Sequence, residues 1–111
     1  MSPRLSFELV KMTPIEKHID SIVNLCKSHK VKSLYVFGSV LTSRFNSDSD
    51  IDLIVDFENI ALEDYADNYF DLKYSLQTLL QKPVDLLEEK AIKNPFFREK
   101  ITQQKKLVYE I

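Results

Sequence analysis

The 111-residue chain has no tryptophan, one cysteine and one glycine. A lone cysteine, Cys26, has no partner for an internal disulfide, which fits a reducing compartment. No apolar stretch approaches the ~20 residues that span a bilayer. Residues 1–12 carry Arg4, Glu8 and Lys11 and lack the apolar run of a secretory signal, so the expected location is the cytoplasm. The 17 acidic and 15 basic residues leave a formal net charge of −2, which excludes the broad basic footprint of a duplex-binding protein. Direct nucleic-acid binding is therefore not expected, and any such contact would be local. Repeats, low-complexity tracts and long linkers are missing too, and the length predicts a single domain over residues 1–111.

Hydrophobic residues make up 44% of what is present, enough for a core, and their spacing changes along the chain. Thr13-Pro14 followed by Glu16 has the form of a helix start, with Thr13 as N-cap and Pro14 at the first helical position. Ile15, Ile19, Ile22, Val23 and Cys26 then recur at helical steps and predict one core-facing side. Val31 to Phe37 and Ile51 to Phe57 read as strands, the second apolar enough to be covered on both faces. Leu62 to Leu80 is the longest periodic segment, with Leu62, Tyr65, Ala66, Tyr69, Leu72, Leu76, Leu79 and Leu80 on its apolar side, and Lys82-Pro83 ends it. Val84 to Leu87 predicts a short strand, Asn94-Pro95 opens a helix toward Gln103, and Lys106 to Ile111 is a candidate edge strand. This alternation predicts an α/β fold, a small mixed sheet with helices packed on it.

In a chain so poor in glycine, Gly38 stands out at the end of an apolar run, Tyr35-Val36-Phe37-Gly38-Ser39. A backbone task that a Cβ would block, a tight turn or close approach to a ligand, accounts for it. Ten residues separate Ser39 from Asp50-Ile51-Asp52, which leads into a second apolar run. If Ile51 starts a strand, Asp50 and Asp52 leave on one face, ~6 to 7 Å apart at Cα, and such a pair can hold hard cations. Either motif alone is common as a turn or strand edge; their order, spacing and flanking strands are specific together. Asp48 reads as a turn residue, and Asp56 lies some ~13 Å along the strand from Asp52, outside any shared metal site. His18, His29 and Cys26 lack a fourth ligand at zinc-like spacing and read as packing or surface residues.

Gly-Ser, ten residues, Asp-x-Asp and an apolar strand resembles the signature of the polymerase β-like nucleotidyltransferases. The short chain looks like the minimal members often paired with HEPN-type toxins. The resemblance runs from about Val31 to the end. It implies that Gly38 and Ser39 hold the phosphates of a nucleoside triphosphate, that Asp50 and Asp52 bind Mg²⁺, and that Asp85, in Pro83-Val84-Asp85-Leu86-Leu87, is the third catalytic carboxylate and metal ligand. Family members often carry arginines just after Gly-Ser. Here Val40 to Ser43 occupy that region and Arg44 is its only base, the remaining candidate for nucleotide binding.

The implied activity is Mg²⁺-dependent transfer of a nucleoside monophosphate, with ATP as the expected donor, to an acceptor hydroxyl on a HEPN-type protein partner, in the role of an antitoxin. The alternative is a binding module, weakly catalytic or silent, that neutralises its partner by masking it. Transfer to a small molecule is disfavoured, because such enzymes usually carry a second domain.

Overall fold

A computed structural model describes residues 14–37 and 50–111 of the chain. Its elements follow one another as α1 (Pro14–Lys17), α2 (Ile19–Ser28), β1 (Val31–Phe37), β2 (Ile51–Phe57), α3 (Leu62–Leu80), β3 (Val84–Glu88), a 3₁₀ turn (Glu89–Ala91), α4 (Pro95–Gln104) and β4 (Lys106–Glu110). The strands form one sheet in the order β3-β2-β1-β4. β1 is antiparallel to β2 and β4, whereas β2 and β3 are parallel. A parallel pair needs a crossover, which α3 supplies. The expected mixed α/β sheet is therefore present, and β4 lies at the edge.

Alternation along β2 builds the core. Ile51, Leu53, Val55 and Phe57 join Ile22 and Cys26 of α2 and Leu72, Leu76 and Leu80 of α3 in one buried cluster. Ile54, 2% exposed, points to the opposite face, where it meets Ile101, the buried residue of α4. β2 is thus covered on both sides, as its unbroken apolar run predicts. Each large side chain withdrawn from water here contributes ~1.5 to 3 kcal/mol. Burial also pushes the Cys26 thiol up to about 12, so it packs as a small hydrophobe.

Three expectations are corrected. The first helix is interrupted at His18, so α1 is a single turn closed by the His18 N–H to the Ile15 carbonyl (3.2 Å), and α2 starts anew. Ile19, placed on the core side by spacing, opens α2 and is 36% exposed, while the buried contacts of that helix fall at Ile22 and Cys26. At the start of α3, Leu62 is 90% exposed and Ala66 is exposed, since that turn extends past the sheet; contact with the core begins at Tyr65 and Tyr69. Thr13, the expected cap, lies outside the described residues.

His29 ends α2 and ties it to α3. Its ring Nε2 lies 2.5 Å from an Asp71 carboxylate oxygen and Nδ1 2.7 Å from the Leu25 carbonyl, while its own carbonyl accepts from Asn68. It serves packing, as expected. Among the described residues, no helix is long and apolar enough to cross a membrane.

Candidate active site

Asp52 is the second residue of β2, and its register partner on β3 is Asp85. Side chains at paired positions of neighbouring strands leave on the same face, from backbones about 4.8 Å apart. The Ile51 N–H, donating to the Pro83 carbonyl at 3.0 Å, fixes the start of this pairing. Asp50 precedes β2 by one residue and is exposed, as is Asp85; Asp52 is half-buried. On the other side of β2, Asp52 is paired with Phe37, the last residue of β1, whose ring meets Phe97 of α4 edge-on at 6.2 Å. One end of the sheet therefore carries two aspartates side by side and a third at the strand entry. Asp56, at the far end of β2, lies 3.7 Å from Lys90 and has no part in this group.

The electrostatics follow the register. Burial raises the Asp52 carboxyl above its ordinary value of 3.8, and the charges of Asp85 and then Asp50 raise it further. Three carboxylates share one field with like-charge repulsion, an arrangement that a bound cation relieves. Among the described residues, no group of three or more His, Cys, Asp or Glu side chains is gathered closely enough to hold a metal ion unaided. The donors are all hard oxygens, which fits Mg²⁺, an ion that uses one or two carboxylates and completes its octahedron with water and substrate phosphate. Gly38, Ser39 and Arg44, the expected phosphate contacts, lie outside the described residues; one peptide bond joins Gly38 to Phe37.

Two features on this strand were not legible as more than core. Tyr69 donates to the Leu86 carbonyl at 2.5 Å, and Tyr65 donates to the Glu88 carboxylate. Burial first, then Glu88 and Asp85, raise the Tyr69 hydroxyl. Their four-residue spacing showed a shared face but not that the face ends in hydroxyl donors at a strand edge. Lys105 Nζ sits 4.2 Å from the centre of the Tyr35 ring. A groove of about 760 Å³ between α2 and α3, lined by residues such as Asn24, Ser28, Tyr74 and Thr78, includes none of the aspartates.

A mixed sheet with helices on both faces and paired carboxylates at one end is the framework of a small α/β phosphate-transfer enzyme. The family described as Polymerase beta, Nucleotidyltransferase matches residues 20–111. MJ0128 of Methanocaldococcus jannaschii, by name a candidate protein adenylyltransferase, is 38% identical over 85 residues, 77% of this chain and 82% of its own. Among solved structures, a candidate minimal nucleotidyltransferase superposes with a TM-score of 0.69 at 29% identity, covering 83% of this chain and 90% of that one. A tri-AMPylated Shewanella oneidensis HEPN toxin in complex with its MNT antitoxin matches with a TM-score of 0.58 at 20% identity, over 86% of this chain and 72% of that one, and bears on the fold alone. The chain belongs to the polymerase β-type nucleotidyltransferase family and is a nucleotidyltransferase.

Proposed function

We propose that the protein uses Mg²⁺ to transfer AMP from ATP to a hydroxyl of a HEPN-type protein partner, acting as that partner's antitoxin in the cytoplasm. The observation that carries this reading is the register of Asp52 against Asp85, with Asp50 in the same field. The kind of acceptor is supported by the name of MJ0128 and by the AMPylated HEPN toxin found with an MNT antitoxin.

In this reading Asp50 and Asp52 would hold Mg²⁺, with Asp85 as a further carboxylate ligand. Mg²⁺, when bound, offsets the charge that builds on the phosphate oxygens. Asp85, exposed at the strand edge, takes the proton of the acceptor hydroxyl as its oxygen bonds to the α-phosphorus; the bond from that phosphorus to the bridging oxygen breaks and pyrophosphate leaves. Gly38, Ser39 and Arg44 hold the β- and γ-phosphates.

The test is incubation with a HEPN-type protein partner, Mg²⁺ and ATP. The wild type is expected to increase the partner's mass by AMP units, and Asp50→Asn is expected not to. Equal neutralisation by wild type and a folded Asp50→Asn variant, without a mass change, would establish masking instead.

A further inference from the structure

β3 has five residues and, among the described residues, pairs with one strand only, in parallel with β2. Alternate residues of a strand turn their backbone groups toward opposite neighbours. The Pro83 carbonyl is taken by the Ile51 N–H of β2, so Asp85 and Leu87 face β2 as well, and Val84, Leu86 and Glu88 face away. Two of these outward backbone groups, and the Glu88 side chain, are engaged in turn by α3. The Val84 N–H donates to Gln77 Oε1 at 3.1 Å, the Leu86 carbonyl accepts from the Tyr69 hydroxyl at 2.5 Å, and the Glu88 carboxylate accepts from the Tyr65 hydroxyl. Tyr65 and Tyr69 are one helical turn apart, and Gln77 lies about two turns further on.

We infer that Tyr65, Tyr69 and Gln77 are positioning residues: a side-chain ladder from α3 that engages the side of β3 turned away from β2 and holds Asp85 in register beside Asp52. A short parallel edge strand is weakly held by its single partner, and a slip of one residue would turn Asp85 to the opposite face. The ladder engages both residues flanking Asp85, Val84 and Leu86, and therefore acts where such a slip would begin. None of its members needs to touch substrate. The inference rests on the proposed role of Asp85, while the ladder's hold on β3 is measurable without it.

Tyr69→Phe and Gln77→Leu each remove one rung, and Gln77→Glu keeps an acceptor oxygen for the Val84 N–H. Amide exchange at Asp85 and Leu87, titration of the Asp85 amide resonance with Mg²⁺ alone, and steady-state transfer are to be measured on each variant and the wild type. The expected result for Tyr69→Phe and Gln77→Leu is exchange faster by roughly fivefold, the scale of one net hydrogen bond. The Mg²⁺ concentration at half-titration should rise several-fold and kcat fall, with KM for ATP within about twofold of wild type. Gln77→Glu should restore all three. Unchanged exchange overturns the ladder; faster exchange with unchanged Mg²⁺ titration makes it edge protection only and overturns the positioning role. A wild type that transfers nothing defeats the proposed function instead, and the exchange and titration results still decide the ladder.

Discussion

Lys30 and Gln81 hold left-handed backbone at the ends of α2 and α3, where helices commonly close on glycine. An L-residue there costs ~1 to 2 kcal/mol, of which glycine's greater freedom in the unfolded chain takes back part. Gln81→Gly is accordingly expected to stabilise by about 0.5 to 1 kcal/mol and to raise the unfolding midpoint by a few degrees. A lower midpoint in thermal unfolding would show that the Gln81 side chain contributes more than its backbone costs.

Asp52 poses the opposite case, a residue whose charge the fold tolerates poorly. Its carboxyl is raised above the ordinary 3.8, so the folded state retains a proton that the unfolded chain has released. Stability of the metal-free protein therefore falls as pH rises through the interval above 3.8, and the penalty is fully present once the folded group has ionised. Solvent screens the half-buried site and keeps the effect small. Asp52→Asn should then leave metal-free thermal stability at neutral pH unchanged or slightly higher, with the pH dependence reduced, while nucleotidyl transfer drops at least ~100-fold. Unfolding curves at pH 4 and 7, with and without Mg²⁺, check both halves; a marked loss of metal-free stability in the variant would make Asp52 a structural residue.

At the scale of elements, helix ends and strand lengths were readable wherever local chemistry sets them. Asn94 is such a case: its side-chain oxygen accepts from the Phe96 and Phe97 N–H groups at 2.9 and 3.1 Å, with Pro95 in the first turn, as Asn94-Pro95 predicts. Asn94→Ala should cost about 1 kcal/mol and lower the midpoint by roughly 4 °C; no change would mean that the Arg98 bonds to Glu89 and Ile92 hold α4 alone. The break at His18 and the exposure of Leu62 were not readable, because periodicity marks a helical face without saying where the sheet beneath it stops. The tyrosines of α3 illustrate the same gap: their spacing gave the correct side of the helix, but their hydrogen bonds depend on which strand lies at the edge.

For the molecule as a whole, the candidate carboxylates were easier to single out in the sequence than the reason they meet. Parity along Asp50-Ile51-Asp52 assigns two of them to one face, whereas Asp85 becomes their neighbour only through the parallel pairing of β2 with β3 across the α3 crossover, a long-range event with no local signature. The fold then places these acids beside Phe37 at the end of β1, the residue that precedes Gly38 in the sequence. ATP labelled at the α- or the γ-phosphorus tests the proposed function most directly, with the proposed HEPN-type partner as acceptor. The account predicts that α-label becomes covalently attached to the partner, that γ-label leaves in pyrophosphate, and that Asp52→Asn abolishes both while still folding. Attachment of γ-label, or α-label transfer undiminished in Asp52→Asn, would contradict it.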